Sequence, residues 1–343
     1  MRKVLVAACA AIAAVAMPRA DAAASDWQVL SRFTVGGAGG WDLLSVDAPS
    51  RRLFVTRGDE LMVLDVDTGK LLGSVPGLKR AHGVALVPAK KRGYVSSGGE
   101  DTVISFDLDT LKPRGEIVVN GKNPDAMLFD TASQHVFAFN GRSNNAAVID
   151  PATDKVVATM AMPGKPELAV SDEHGSIFVN IEDKNQIAQV DAKAAKVLKT
   201  WSLGSCDEPS GLAIDVKHKR LFSVCSNKQM VVLDAQDGHV VAMLAIGDGP
   251  DGAAFDAQTG NAFSSNSDGT LTVVHEDDAD HFHVLATVAT PARSRTIALD
   301  TKTHHLVLPT AQFGATPQPT TEQPHPRPSM MPDSFGFIVV GQK

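Results

Sequence analysis

Residues 40–75, GWDLLSVDAPSRRLFVTRGDELMVLDVDTGKLLGSV, recur in altered form along the chain. Residues 124–160 read PDAMLFDTASQHVFAFNGRSNNAAVIDPATDKVVATM, and residues 209–244 read PSGLAIDVKHKRLFSVCSNKQMVVLDAQDGHVVAML. Each copy holds four short apolar runs separated by polar turns. An aromatic marks the second run at Phe54, Tyr94, Phe137, Phe178, Phe222 and Phe263, and Val307 takes its place in a seventh copy. The spacings are 40, 43, 41, 44, 41 and 44 residues. Runs rich in Val, Ile, Leu and Phe between turns such as Asp-Thr-Gly-Lys read as strands. Four strands in each 40–45-residue unit is the pattern of propeller blades. The expected fold is therefore all-β, a seven-bladed β-propeller, with strands lettered a to d from the channel outward.

The seventh copy is short by one strand. SRTIALD and HHLVLPT supply strands a and b, and FGFIVV supplies c. The missing strand d is at the other end of the chain, where WQVLSRFTVGG matches the last run of each blade. Pairing the two ends would close the ring and remove an exposed sheet edge.

NNAAVIDPATDKVVATM and RLFVTRGDELMVLDVDTGKLLGSV resemble the YVTN-repeat, YncE-like propellers of exported bacterial proteins. The resemblance covers residues 26–343, although the tetrapeptide itself is never intact; LFVT and IFVN come nearest. It implies a seven-bladed ring often without an assigned activity. Relatives of this architecture include lactonases and subunits of periplasmic dehydrogenases.

The N-terminus, MRKVLVAACAAIAAVAMPRADAAASD, has a basic start, an apolar run and small residues, which reads as a secretory signal peptide over residues 1–24. Cleavage is expected after Ala22 or Ala24, leaving residues 25–343 as a single propeller domain in the periplasm or outside the cell. VAAC at 6–9 looks like a lipoprotein box, but too little apolar sequence precedes Cys9 for a lipid anchor to be expected. No run is long enough for a transmembrane helix, and a monomer is expected. The formal charge of −7 becomes −9 once the leader's net +2 is removed, which disfavours nucleic acid as a partner.

Propeller topology puts the start of strand a and the b–c loop on one face, the top. Aligning strand a on its final position gives Asp47, Pro88, Asp130, Asp172, Asp215, Asp256 and Asp300. Five residues earlier stand Asp42, Gly83, Asp125, Glu167, Ser210, Asp251 and Arg295. One further back are Trp41, His82, Pro124, Pro166, Pro209, Pro250 and Ser294. The expectation is an acidic collar at the channel mouth formed by Trp41, Asp42, His82, Asp125, Glu167, Asp251 and Arg295. Two readings stand side by side. The carboxylates could cap the start of strand a by accepting backbone N–H groups, or the collar could bind a divalent cation or an amine-bearing ligand. His82 is either a structural residue or a general base.

A proline-rich insertion, 311–334, separates strands b and c of blade seven and should be extended, poorly packed and free of helix. It is either a lid or partner contact, or a passive surface loop. HEDDADHFH at 275–283 falls on the c–d hairpin of blade six. With Asp277–Asp280 as its turn, Glu276, His281 and His283 would share a sheet face and offer zinc or copper ligands, though a turn alone explains the aspartates. DVDTGK at 65–70 is a hairpin turn, since the twelfth position of an EF-hand loop would be Pro76. Haem-attachment, zinc-protease, nucleophile-elbow and dinucleotide motifs are absent.

Cys206 and Cys225 are the only thiols after the leader. The repeat register brings the segment before strand a and the end of strand b of blade five to one rim, so a disulfide is expected in an oxidising compartment. A reactive thiol pair and a metal pair are the alternatives. The expected function is that of an exported propeller that binds an unidentified small molecule or periplasmic protein through its top face and acidic channel mouth, without catalysis. The alternatives are a metal-assisted hydrolase of lactones and an accessory to a periplasmic dehydrogenase.

Overall fold

The computed structural model describes residues 26–37, 39–318, 320 and 326–343. The expected signal peptide, with its cleavage after Ala22 or Ala24, lies outside the described residues. Seven four-stranded antiparallel sheets form a ring. Blades one to six each use four consecutive strands. Blade three, for example, runs Pro124–Asp130, His135–Asn140, Asn145–Asp150 and Lys155–Ala161. Blade seven is composite: Ala298–Asp300, His305–Thr310 and Gly336–Gln342 are strands a to c, and Trp27–Thr34 is strand d. Trp27 pairs with Gln342 and Thr34 with Gly336. The ends of the chain thus close the ring as the repeat count requires. Among the described residues the helical content is two 3-10 turns, Pro88–Lys90 and Glu182–Lys184.

The marker residues explain why the blades pack. Phe54, Tyr94, Phe137, Phe178, Phe222, Phe263 and Val307 are all fully buried on strand b. Among the described residues there are seven apolar clusters, and each joins two neighbouring blades. The hydrophobic core is therefore a ring of inter-blade layers. Trp27 meets Phe263 at 5.2 Å between ring centroids, so the closing strand is also packed onto blade six. In blades one to six the c–d pairing shifts register at the same place, for example between Val63 and Leu64 and between Val148 and Ile149. A bulge adds local twist, and repeating it gives every blade the same outer twist.

The bottom face is held by aspartates that end strands a and c. Asp65 Oδ1 accepts the N–H groups of Asp67 and Thr68 at 3.1 and 2.8 Å, and Asp107 and Asp191 repeat the arrangement. Such Asx turns explain these acidic residues without a ligand.

Candidate functional site

Strand a begins at the channel mouth, so its second residue faces the channel axis. Pairing with strand b fixes this position independently of any count. Ala81, Pro124, Pro166, Pro209 and Pro250 pair with Ser97, Asn140, Ile181, Cys225 and Asn266. The collar column is therefore Asp42, His82, Asp125, Glu167, Ser210, Asp251 and Arg295. The sequence alignment put Gly83 there, one residue late. Trp41 belongs to the proline column behind the collar and does not line the mouth.

A recurring hydrogen bond anchors this rim. Side chains on strand b donate to the collar carbonyl of the next blade: Thr56 to His82, Ser96 to Asp125, Asn180 to Ser210 and Ser265 to Arg295. The Thr296 hydroxyl, just before strand a of blade seven, links that blade to the first by donating to the Asp42 carbonyl at 2.9 Å, which makes five of the seven blade junctions. The backbone under the collar is thus fixed, and the side chains are left to face the opening.

Asp42, Asp125, Glu167, Asp251 and Arg295 line one polar cavity of about 230 Å³, joined by Lys165, Glu182 and Ser210. His82 supports it from the side. Its Nδ1 is 2.6 Å from Asp42 Oδ2 and 3.9 Å from Asp125 Oδ2. Lys165 Nζ donates to Glu167 at 2.8 Å and also reaches Glu182. Arg295 pairs with Asp251 at 2.9 Å. Among the described residues, none of the four collar carboxylates accepts a backbone N–H. The strand-capping reading of these residues therefore fails; the caps are the bottom-face aspartates.

Glu182 and Lys165 are additions that the alignment did not single out. The residue after strand b is Gly58, Gly98, Gly141, Glu182, Ser226 or Ser267 in blades one to six. A single carboxylate in a column of small residues was the available signal.

The cavity crowds carboxyl groups, and the crowding resists their ionisation. Burial pushes Glu167 up to about 8, with the Asp125 charge adding to it and Lys165 opposing. Asp251 is pushed up to about 6, mainly by burial and against Arg295. Asp125 is raised by burial as well, against the His82 charge. Burial opposes protonation of His82, but the Asp42 hydrogen bond and the Asp125 charge outweigh it and raise its value. Each collar carboxylate still keeps about a quarter of its side chain open to the mouth. The groups are thus crowded yet reachable, which is the condition under which a cation relieves most repulsion.

Below the mouth the lining side chains are mostly aliphatic, while backbone groups and Ser45 keep the space polar. Leu43 and Leu168 floor the polar cavity and also line a deeper space of about 200 Å³ with Leu44, Val84, Met127 and Ile297. A charged group entering from the top meets the carboxylates first. Asp42, His82 and Asp125 also present donor atoms within 4.8 Å of one another. One imidazole and two carboxylates are a chemically suitable set for a divalent ion.

The remaining candidates fall elsewhere. Trp41 lies beneath the proline-rich insertion, 6.0 Å from Phe313 and 5.6 Å from Phe335 between ring centroids. The described parts of that insertion are mostly exposed and free of helix, as expected, with one local anchor: Phe313 bridges to Met330, and Arg293 lies over Phe313. In blade six the hairpin turn is tighter than expected, with Asp278 opposite His281 and a register shift after Glu276. Glu276, His281 and His283 therefore do not converge. Glu276 is buried against His218, while His281 pairs with Asp278 and His283 with Asp277. Cys206 and Cys225 form a disulfide with Cα atoms 5.4 Å apart. Both are buried, and the link ties the linker before blade five to the end of its strand b. Loop closure of this length stabilises by roughly 3 kcal/mol in the chain-entropy picture.

No family model matches the chain. It is 22% identical over 210 residues to the uncharacterized protein YncE of Salmonella typhi and to that of Salmonella typhimurium. The match covers 59% of this chain and 59% of each relative. The hydrazine synthase of Kuenenia stuttgartiensis contains a chain of similar fold, with a TM-score of 0.71 at 16% identity, covering 80% of this chain and 94% of that one. The homology to YncE and the seven-bladed ring together support a YncE-like propeller. Among the described residues no helix is long and apolar enough to cross a membrane.

Proposed function

We propose that this YncE-like propeller is an exported receptor that takes a small organic amine into its acidic mouth, without chemistry of its own. The observation that carries this reading is the excess of acidic over basic side chains in one cavity, whose ionisation an ammonium group would favour. Five carboxylates, Asp42, Asp125, Glu167, Glu182 and Asp251, share it with Lys165 and Arg295. An ammonium group would donate to the carboxylates at the rim, and its alkyl part would lie on Leu43, Ala126 and Leu168. Export is supported by the Cys206–Cys225 disulfide, by the similarity to YncE and by the leader-like N-terminus.

Calorimetry with putrescine, spermidine, calcium and magnesium tests this. The amines should bind the wild-type protein, and Asp125→Asn and Asp251→Asn should each weaken them tenfold or more. Absence of amine binding, or affinity unchanged in both variants, would overturn the proposal.

The Asp42–His82–Asp125 donor set favours a second reading, a divalent ion that polarises a lactone carbonyl. Lactone turnover that a chelator removes and zinc restores, and that His82→Gln abolishes, would put this reading first.

A further inference from the structure

On the bottom face, far along the strands from the mouth, two departures from the repeat meet. The position three residues after the aspartate that ends strand a is a hydroxyl residue in four blades: Ser50, Ser133, Thr259 and Thr303. The hydroxyls of Ser50, Thr259 and Thr303 donate to their own turn aspartates. In blade five this position is His218, and the aspartate is Asp215. The second departure is the c–d hairpin of blade six. Its strands, Thr270–Asp278 and His281–Ala289, are nine residues each, longer than those of the other blades. The extra length carries Glu276 across to blade five.

His218 Nδ1 lies 2.8 Å from Asp215 Oδ2 and 3.0 Å from Glu276 Oε1. Two carboxylates thus converge on one imidazole nitrogen. Both are almost completely shielded, with 4% and 2% of their side chains exposed. Glu276 Oε2 is buried and has no hydrogen-bond partner. His218 remains one-third exposed, which leaves an approach from solvent.

We propose that Asp215, His218 and Glu276 form a binding site for a divalent transition-metal ion that clamps blade five to blade six. The spacing supports this. Ligands about 2.1 Å from a metal and at right angles to one another stand about 3.0 Å apart, as these donors do. Imidazole with carboxylates suits zinc, manganese, cobalt or nickel in preference to calcium or magnesium. An ion would also satisfy the unpartnered Glu276 oxygen and neutralise two carboxylates that burial forces together. In its absence, burial and the Asp215 charge push Glu276 up to about 7, with His218 opposing. Asp215 is held in place from behind: its Oδ1 accepts the Lys217 N–H at 2.9 Å. Water would complete the coordination from the exposed side of His218.

The test is metal loading of the chelator-stripped, full-length mature protein with zinc and with cobalt, followed by elemental analysis and the visible absorption of bound cobalt. The bottom-face ion should be lost, or its affinity lowered at least a hundredfold, in Glu276→Gln and in His218→Ser. The second variant restores the hydroxyl used in other blades, so it should fold. Asp125→Asn, which alters the mouth, should leave this ion and its cobalt spectrum unchanged, which separates the two sites. No uptake of zinc or cobalt by folded protein, or uptake in the Asp125→Asn background that persists undiminished when Glu276→Gln or His218→Ser is added, would refute the site and leave a proton-sharing cluster in its place.

Discussion

His82 Nδ1 stands 2.6 Å from Asp42 Oδ2 and 3.9 Å from Asp125 Oδ2, so one imidazole joins the collar positions of three successive blades. The ring is mostly buried, and its Nε2 has no hydrogen-bond partner. Gly98 makes room for it, since a Cβ at that position would sit 2.7 Å from His82 Cδ2. The interaction depends on the proton. The folded state raises the His82 value above its ordinary 6.5. The stabilisation is therefore complete below about pH 6.5 and disappears as pH rises through the folded value. Urea midpoints measured from pH 5.5 to pH 9 should fall more steeply for the wild type than for His82→Gln. Parallel curves would show that the proton on His82 does not stabilise the ring.

Asp251 makes the converse case for a carboxylate. Its folded value is raised to about 6 from 3.8, so the folded state holds the proton more tightly. That contribution is present in full below the unfolded value and is lost as pH climbs through about 6. Above that, the charged group opposes folding. Asp251→Asn should stabilise the protein at pH 8 by on the order of 1–2 kcal/mol, less than the full shift implies because the mouth is wet and Arg295 loses its partner. At pH 4 the gain should vanish. The same variant should bind amines poorly, so stability and ligand affinity would move in opposite directions. Equal losses of both would mean that Asp251 is a structural residue.

The architecture was legible because propeller repeats write themselves in one dimension. The buried aromatic of strand b returns at 40 to 44 residues, and the turn aspartates punctuate the strands between. The collar was legible wherever a proline opens strand a, as at Pro124, Pro166, Pro209 and Pro250. Blade two has Ala81 at that position and Val87 in place of the terminal aspartate, so counting back from Pro88 lands on Gly83, although His82, expected at the mouth beside it, holds the collar position. Strand pairing, which is spatial, corrects it. Lys165 and Glu182 depend on how a d–a linker meets a b–c loop. The Asp215–His218–Glu276 cluster depends on the register shift after Glu276. A bulge of that kind reassigns which side chains share a face, and no residue pattern announced it.

The proline-rich insertion of blade seven is anchored at both ends by contacts above Trp41. Phe313 packs against both the Trp41 ring and the Arg293 guanidinium. Trp27 and Trp201 are buried far from it, at 7% and 9% exposure, so Trp41 is the tryptophan whose environment this segment controls. Phe313→Ala should shift the emission of Trp41 to the red and increase its quenching by iodide. Deleting Pro317 to Pro328, which spares Phe313 and Met330, should leave the emission close to wild type. If the deletion alone exposes Trp41, the cover comes from the middle of the segment and the aromatic contact is incidental.

Closure of the ring concentrates in a short strand whose removal would unpair a sheet edge. Trp27–Thr34 pairs with Gly336–Gln342 and buries the Trp27 indole against Phe263 in the cluster shared with Leu271, Val273, Ile338 and Val340. The contact links the first described strand, the last strand and blade six, which are distant in sequence. Trp27→Ala should destabilise the protein by about 3–5 kcal/mol, as expected for deleting a large buried aromatic. Removing residues 25–34 goes further, because strand Gly336–Gln342 would then expose its backbone donors and acceptors. That truncated protein should oligomerise through blade seven. Light scattering and crosslinking between copies at Val340→Cys, in a background with Cys206 and Cys225 intact, would detect the association. A truncated protein that stays monomeric and melts with the wild type would mean that the ring is held by blades one to six and that the terminal strand is ornamental.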